Sequence, residues 1–336
     1  MKVKEYYIPK TNIYTGDYNH IETSITQYHY NEKDVKVTND LKPLENYKHY
    51  ISVVGLSDIK KIEKIKDYYS IEDTILEDIF NVKQRTRLEY RENYVFGVLH
   101  VQYIYEENEY QDYMSLLMFE DTVITFHEKS PVYLEALPEL LNKYKELKTS
   151  SIDFLLYQIM DIVTDHQLSM YEWLEMMSTQ FEEEILESKE VDQERFYLIR
   201  KKLLQLKASV SPMLEELTTF LNRKNNFVKL ENEIYYDDLK DHLQRLDTYL
   251  NQSREQMRHL LDLHINNQSN KMNRIMTTLT LFSAIFIPLS FLTGFFGMNF
   301  VHFDILEYEH SLAIFIGLCF LLAGFMFLLF KKMKWF

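Results

Sequence analysis

The sequence predicts an α+β cytoplasmic domain, built as an α/β sandwich with a long helical hairpin and a stalk helix, followed by two transmembrane helices. Three observations support this fold class. Residues 1–145 contain the strand-like runs, residues 146–270 show mainly helical spacing, and residues 271–336 contain two long apolar runs. We take these ranges as a cytoplasmic α/β domain, a cytoplasmic hairpin with its stalk, and a transmembrane domain.

The first range contains segments rich in β-branched and aromatic residues at 49–56, 92–103 and 112–128. Glu120-Asp121 divides the last of these segments and predicts a hairpin turn. Residues 70–89 have the apolar spacing of a helix. Ser70 and Asp73 match a capping box, which predicts that this helix begins at Ser70.

A helical hairpin is predicted next. Residues 151–188 and 191–221 both carry apolar side chains at three- and four-residue intervals, and a turn near Ser188–Asp192 separates them. The two segments therefore predict antiparallel helices. Pro212 lies inside the second one and predicts a kink.

The stalk helix follows from the absence of helix breakers. No Gly or Pro occurs between Pro212 and Pro288. An apolar seam with three- and four-residue spacing runs through this stretch at Leu239, Leu243, Leu246, Leu250, Met257, Leu260 and His264. The pattern predicts one long helix that enters the bilayer. Its seam needs a partner, either the preceding hairpin or copies of itself.

Two membrane spans are predicted at about 275–296 and 311–330, because both runs lack charge and are long enough to cross about 30 Å of hydrocarbon. Lys271 and Arg274 precede the first span, basic residues follow the second, and the connecting loop has no Lys or Arg. The positive-inside rule then places both termini in the cytoplasm and the loop outside. We expect a multi-pass protein of the cell membrane.

Composition excludes several function classes. The formal net charge of −14 argues against nucleic acid and favours cations. The one cysteine, Cys319, excludes an intrachain disulfide and argues against a thiolate metal site. The sequence has neither a Gly-rich phosphate loop nor a nucleophile–base arrangement, so we expect no enzyme and no organic cofactor. The start of the sequence lacks the apolar stretch of a signal peptide, so we expect it in the cytoplasm.

The first span carries a stripe of hydroxyl, small and bulky apolar residues. It consists of Met276, Thr280, Ser283, Ile287, Ser290 and Gly294, with Asn273 at its cytoplasmic edge. Such a stripe suits a pore with wet rings and dry constrictions, and it equally suits ordinary helix packing. Two helices cannot enclose a water path, so either they anchor the protein or several chains assemble.

The tripeptide Gly297-Met298-Asn299 at the end of this span favours the pore. Gly297 predicts a helix end in a backbone conformation that other residues resist. Asn299 supplies an amide that can hydrogen-bond the water shell of a cation, and Mg²⁺ usually keeps its waters. Asp304, Glu307 and Glu309 would raise the local cation concentration.

These residues resemble the CorA family of divalent-cation channels, whose signature is Gly-Met-Asn at the end of the first of two C-terminal spans. The context strengthens the resemblance, because IFIPLSFLTGFFGMNF (285–300) is followed by a short loop and a span that ends in KKMKWF. Residues 75–99 also resemble the family closely. The resemblance therefore covers essentially the whole chain.

The resemblance implies a homopentamer with a funnel-shaped cytoplasmic domain, through which Mg²⁺ enters down its electrochemical gradient. It implies pore-lining roles for Asn273, Met276, Leu279, Ile287 and Ser290. Thr280, Ser283 and Gly294 join this set from the stripe. The selectivity filter would be Gly297, Met298 and Asn299, and a basic collar would be Lys331, Lys332 and Lys334.

The family also senses cytoplasmic Mg²⁺ at acidic sites between subunits. Asp78 and Asp238 match the main pair of ligands, and Glu77, Asp165 and Asp241 lie near them in the pattern. Clustered carboxylates repel each other when empty and are bridged when Mg²⁺ binds, which gives a two-state element biased by the transported ion.

Three positions depart from the family pattern. Phe296 stands where a tyrosine is usual, so a hydrogen bond at the base of the filter would be lost. Val301 replaces a frequent glutamate, and Thr164 precedes Asp165 where a second acid can occur. The last change would weaken a secondary sensing site.

The leading hypothesis is a Mg²⁺ channel, with Co²⁺ and Ni²⁺ as further ions, closed by cytoplasmic Mg²⁺. Its partners would be copies of itself, membrane lipid and divalent cations. A zinc-transporting member of the same family is the first alternative, although zinc prefers His and Cys and the stripe has neither. A membrane-anchored sensor that transports nothing is the second alternative.

Overall fold

The computed structural model describes residues 13–187, 192–222, 227–298 and 309–333. The chain divides into two compact units, one ending at Arg258 and one beginning at His259. The first unit contains a mixed sheet and the long helices packed on it. The second contains both apolar helical segments.

A seven-stranded sheet forms the centre of the first unit. Its strands are β1 (Ser24–Tyr30), β2 (Val35–Thr38), β3 (Lys48–Val54), β4 (Arg87–Tyr90), β5 (Val95–Tyr105), β6 (Asn108–Met118) and β7 (Thr122–His127). The spatial order is β2-β1-β3-β7-β6-β5-β4. Only the β3–β7 pair is parallel, and every other neighbouring pair is antiparallel.

The structure confirms the three strand-like segments, although β5 ends two residues later and β6 begins four residues earlier than predicted. β5 and β6 join through the two-residue turn Glu106-Glu107, whose φ angles are 48° and 63°. Both residues occupy the left-handed region that Asn-Gly usually fills in such hairpins, so a Glu-Glu pair does not indicate this turn. The predicted turn at Glu120-Asp121 is confirmed. It is closed by the Phe119 amide, which donates to the Thr122 carbonyl at 2.8 Å.

Two short helices cover one face of the sheet, α1 (Ile59–Tyr69) and α2 (Asp73–Phe80). Their apolar sides supply Ile62, Ile65 and Ile79 to a buried core with Val53 and Phe126 of the sheet. Each of these side chains is at most 1 % exposed. This layer fixes the position of α2, which carries two of the predicted cation ligands.

The predicted start and end of the helix in residues 70–89 are wrong. Ser70 caps the C-terminus of α1 at a φ of 53°, and its amide donates to the Lys66 carbonyl. The N-cap of α2 is Glu72, and its side chain makes no capping hydrogen bond. The helix ends at Phe80, and Arg87–Tyr90 form strand β4 because they pair with β5. Tertiary pairing here overrides the local helical spacing.

Helices α3 (Leu137–Lys143), α4 (Lys145–Thr149), α5 (Ile152–Leu186) and α6 (Gln193–Asn222) follow the sheet. The Lys48 ammonium joins the sheet to the end of α4, donating to the carbonyls of Leu147 and Lys148 at 2.9 and 3.0 Å and also to that of Ser150. Burial lowers the pKa of Lys48 to about 8.

The helical hairpin is confirmed, since α5 and α6 pack on each other and on β5. The Gln167 amide donates to the His100 carbonyl at 3.0 Å, and the Gln102 amide donates to the Ser209 hydroxyl at 2.6 Å. Helix α6 continues through Pro212. The predicted turn lies mostly in residues 188–191, outside the described residues.

The long helix is confirmed as α7 (Glu233–Phe296). Its predicted seam is buried, with Leu239, Leu243, Leu246, Leu250, Met257 and Leu260 each at most 3 % exposed, while His264 is half-buried. Tyr249 stacks on Tyr171 of α5 at a centroid distance of 5.6 Å, and the Tyr171 hydroxyl lies 3.2 Å from that of Ser253. The preceding hairpin is therefore a partner of the seam within one chain.

The second unit contains the end of α7 and helix α8 (Ser311–Lys332). Both helices are long and apolar enough to cross a membrane, and almost none of their most apolar part is buried in the chain. Helix α7 ends at Phe296, as predicted for the first span. Their exposed apolar surface is what a bilayer or further copies of the chain would cover.

Candidate functional site

The predicted pore stripe is open in a single chain. Met276, Leu279 and Ile287 are 59 %, 66 % and 67 % exposed. The remaining members are exposed or half-buried, namely Asn273, Thr280, Ser283, Ser290 and Gly294. The Thr280 hydroxyl donates to the Met276 carbonyl at 2.8 Å, so its oxygen lone pairs stay available on this face. The stripe can thus offer acceptor oxygens between bulky apolar side chains.

The end of α7 corrects one expectation. Among the described glycines only Gly55 has a positive φ, so Gly297 does not adopt the left-handed conformation. The Gly297 amide donates to the Thr293 carbonyl at 3.0 Å. A Cβ at position 297 would lie 3.0 Å from that same carbonyl oxygen. Any other residue would press its Cβ against the Thr293 carbonyl oxygen, and this close contact favours glycine at position 297.

Part of the predicted filter and mouth falls outside the described residues, namely Asn299, Val301, Asp304 and Glu307. Gly297 and Met298 are described and exposed, as is Glu309. The basic collar is described for Lys331 and Lys332, which occupy the last turn of α8. Lys334 lies outside the described residues. The two described lysines suit the negative end of the helix dipole.

Asp78, the first predicted regulatory ligand, is already paired in its own chain. Its carboxylate forms an ion pair with Arg87 of β4, and both side chains are about three-quarters buried. Arg87 also binds Glu89 at 2.7 Å. The neighbouring Glu77 is exposed. A cation that binds Asp78 must therefore compete with the Arg87 guanidinium.

Two further predicted ligands are Asp165 on helix α5 and Asp238 on helix α7. Asp165 and Asp238 both act electrostatically on Asp161, a carboxylate that is not among the predicted ligands. Burial, and next the negative charge of Asp165, raise the pKa of Asp161. His242 lies 3.7 Å from the Asp238 carboxylate and opposes this shift.

Asp161 also accepts a hydrogen bond from Tyr157, one turn earlier on α5, and burial together with Asp161 raises the pKa of that tyrosine. Asp161 precedes Asp165 by four residues, so both lie on one helix face. That spacing was the signal available in the sequence. Asp241 is exposed on α7.

Thr164 is accounted for by its surroundings. Its side chain is 2 % exposed, and its hydroxyl donates to the Met160 carbonyl at 2.9 Å. An acid at this position would be buried in the helix interface, which is costly for a charged group. The acidic surface beside Asp165 is therefore supplied by Asp161.

The structure brings Asp161, Asp165 and Asp238 together, and Asp78 is not among the electrostatic partners of Asp161. Within the described part of one chain, no three His, Cys, Asp or Glu side chains are arranged to hold a metal ion. The pairing of Asp78 with Asp238 across a subunit boundary stays a prediction.

The comparisons with known proteins agree on one family of metal-ion transporters. A family model described as "CorA-like Mg2+ transporter protein" matches residues 51–332. The cobalt/magnesium transport protein CorA of Thermotoga maritima is 27 % identical over 338 residues, covering 97 % of this chain and 96 % of the relative. The zinc transport protein ZntB of Photorhabdus laumondii is 28 % identical over 180 residues, 54 % of this chain and 55 % of that protein.

The fold is also similar to a solved structure. The complete CorA magnesium transporter of Methanocaldococcus jannaschii superposes with a TM-score of 0.80 and 18 % identity, covering 94 % of this chain and 100 % of that one. The mixed sheet, the long helices and the two apolar C-terminal helices thus form one known architecture.

Proposed function

The chain belongs to the CorA-like Mg²⁺ transporter family, and from this membership we propose that it is a channel through which hydrated Mg²⁺ enters the cell. As a family member it is a membrane protein that transports divalent metal ions. The proposal adds the identity of the ion, the driving force and the control of the gate. Co²⁺ and Ni²⁺ are further candidate ions.

One observation carries the proposal. Helix α7 ends at Phe296, Gly297-Met298-Asn299 follows at once, and the stripe below it is exposed on the same helix. Copies of α7 around an axis would place acceptor oxygens and bulky apolar groups in alternating rings. Mg²⁺ dehydrates reluctantly, so a ring of Asn299 amides would select the ion with its water shell.

The driving force is the membrane potential. A charge gains about 2.3 kcal/mol per 100 mV, and a divalent ion gains about twice that. With both termini in the cytoplasm, Asn299 lies at the outer mouth and the lysine collar at the inner one. This arrangement supports influx without a chemical energy source on the chain.

The proposed oligomer is a homopentamer, since a single chain supplies only two spans. In this assembly, Mg²⁺ would bridge Asp78 of one subunit and the group around Asp238 of its neighbour. Binding would hold the subunits together and keep the pore closed when cytoplasmic Mg²⁺ is abundant. Release of the ion would leave repelling carboxylates and favour opening.

The test is Mg²⁺ influx into liposomes that contain the purified full-length protein. The lumen holds a chelator and a Mg²⁺ indicator, and a potassium gradient with valinomycin sets an inside-negative potential. Wild type is compared with Asn299→Ala and with the control Asn266→Ala, an exposed amide of the same helix.

Influx that depends on the potential, persists in Asn266→Ala and is lost in Asn299→Ala is the expected result. Absence of influx from a well-folded wild-type oligomer would overturn the channel and leave a membrane-anchored sensor. Influx of Zn²⁺ without Mg²⁺ would instead assign the protein to the zinc-transporting branch that its similarity to ZntB represents.

A further inference from the structure

Helices α7 and α8 border an open groove of about 880 Å³ in the second unit. Its lining changes along α7 from Asn270, Asn273 and Arg274 to Leu281 and Phe282, with Phe327 of α8 beside the apolar part. This volume is within the range of about 300–1,000 Å³ typical of small-molecule sites. The groove therefore has one polar end and one apolar end.

The dimensions match an amphiphile in one leaflet. From Arg274 to Phe282 the helix rises about 12 Å, which is less than half of a hydrocarbon core of about 30 Å. The polar end lies at the start of the first span, where the positive-inside rule places the cytoplasmic surface. A molecule in the groove would have its polar group at that surface and its apolar part in the inner leaflet.

The charge at the polar end is positive, and the two helical segments that border the groove contain no carboxylate side chain. Lys271 and Arg274 are exposed there, and residues 263–303 contain no Asp or Glu. Helix α8 contains none either and ends in Lys331 and Lys332. An arginine guanidinium binds phosphate oxygens in a bidentate manner, and the nearby amide of Asn270 can donate a further hydrogen bond.

A second copy of the chain is a poorer occupant for this end of the groove. The membrane segments of another copy carry no carboxylate, so they would cover Arg274 without neutralising it, which is costly in an apolar environment. Apart from Asn273, which lies at the edge of both, the groove lies on a different face of α7 from the pore stripe. At 3.6 residues per turn the two face centres are about 150° apart, so an occupant would not enter the ion path.

We propose that this groove binds one anionic phospholipid of the inner leaflet, with its phosphate at Arg274 and an acyl chain along Leu281, Phe282 and Phe327. Basic pockets between transmembrane helices on the cytoplasmic side are a known way to hold such head groups. The site goes beyond ion transport and does not depend on which ion passes. It joins the two helices of one protomer through a lipid.

The experiment uses full-length protein in which Cys319→Ser removes the single cysteine and Phe282→Cys introduces a labelling position in the groove. A bimane label at this position is read in phosphatidylcholine vesicles that contain increasing fractions of brominated phosphatidylglycerol or brominated phosphatidylcholine. Bromine quenches the label only when the acyl chain lies beside it. Arg274→Gln, Arg274→Lys and the control Arg258→Gln, which changes an exposed arginine of α7 away from the groove, are made in this background.

We expect brominated phosphatidylglycerol to reach half-maximal quenching at a lipid fraction about fivefold lower than brominated phosphatidylcholine does. A preference of about fivefold is what one basic residue near an anionic lipid surface contributes. Arg274→Gln should abolish this preference, while Arg274→Lys and Arg258→Gln should keep it. Equal quenching by both lipids, or a preference that survives in Arg274→Gln, would overturn the site. A third outcome would also overturn the site. If neither brominated lipid quenches the label, and the cysteines introduced by Phe282→Cys form disulfides between unlabelled copies, a second copy of the chain fills the groove.

Discussion

Arg87 of strand β4 holds the carboxylate of Asp78, at the end of helix α2, in an ion pair within one chain. The pair is about three-quarters buried, so solvent screens it less than a surface pair. If Asp78 binds regulatory Mg²⁺, Arg87 acts as a built-in competitor for the same oxygen atoms. The competition would set the concentration of Mg²⁺ at which the channel closes.

Arg87→Gln should therefore increase the sensitivity to cytoplasmic Mg²⁺. Exposed ion pairs contribute up to about 1 kcal/mol, and this largely buried pair should contribute at least as much, so we expect the inhibitory Mg²⁺ concentration to fall at least about two- to fivefold. The measurement is Mg²⁺ influx into the liposomes described above, with buffered luminal Mg²⁺. Arg85→Gln, which changes an exposed arginine in the loop just before β4, should leave the concentration unchanged. An unchanged or higher value for Arg87→Gln would exclude Asp78 as a regulatory ligand that competes with Arg87.

Asp161→Asn should stabilise the protein at neutral pH. Burial and Asp165 raise the pKa of Asp161 in the folded state, so its charged form destabilises the fold. This penalty is complete above the raised pKa and disappears as the pH falls below the unfolded value of about 3.9. Thermal unfolding of full-length protein, without divalent ions, should show a higher Tm for Asp161→Asn at pH 7 and no gain near pH 4.

The matched control for this measurement is Asp237→Asn, which removes an exposed carboxylate from α7. It should change the Tm little at either pH, because an exposed carboxylate stays hydrated in the folded state. A lower Tm for Asp161→Asn at pH 7 would mean that the Asp161 carboxylate stabilises the fold.

His127→Gln should reduce the loss of stability in acid. Burial lowers the pKa of His127 to about 3, and its ring nitrogens lie 3.1 Å from the Tyr133 hydroxyl and 2.9 Å from the Thr125 hydroxyl. The unfolded chain takes up the proton at about pH 6.5, so stability falls by about 1.4 kcal/mol per pH unit below that value. Wild type should lose about 2 kcal/mol more than His127→Gln between pH 7 and pH 5.

Denaturant unfolding at fixed pH values measures this difference. His259→Gln changes an exposed histidine of α7 and should show the pH slope of the wild type. Parallel slopes for wild type and His127→Gln would show that His127 is protonated in the folded protein or is accessible to water.

Gly55→Ala should destabilise the first unit. Gly55 has a φ of 84°, and a Cβ there would lie 2.9 Å from the Glu22 carbonyl oxygen. The left-handed conformation alone costs a residue with a Cβ about 1–2 kcal/mol, and the clash adds to it. Gly317→Ala in α8 is the control, because a Cβ there meets nothing within 4 Å. Equal free energies of unfolding for wild type and Gly55→Ala would contradict the strain.

The helical parts of the fold could be predicted because their signals are long. The seam from Leu239 to Leu260 extends over several turns, and the two spans are uncharged over about twenty residues each. Strands β1 and β2 and helix α1 were not predicted. Strand β2 has only four residues, VKVT, and two of them are exposed, so neither apolar alternation nor length distinguishes it from a loop.

The candidate site shows the same division. Asp165 and Asp238 were selected through the family pattern, whereas Asp161 was missed because a single carboxylate on a long helix resembles a solvated face. The pairing of Asp78 with Arg87 could not be predicted either. The local spacing placed both residues in one helix, and only the pairing of β4 with β5 brings the guanidinium to the carboxylate.

The position of β7 in the sheet determines how early during synthesis the complete sheet can form. Strands β1, β2 and β3 leave the ribosome first, but they join β4, β5 and β6 only through β7, which ends at His127. The sheet therefore cannot close until that residue is synthesised. At about 5–20 residues per second, the first span follows about 7–30 s later. The sheet therefore has time to fold before the first span can enter the membrane.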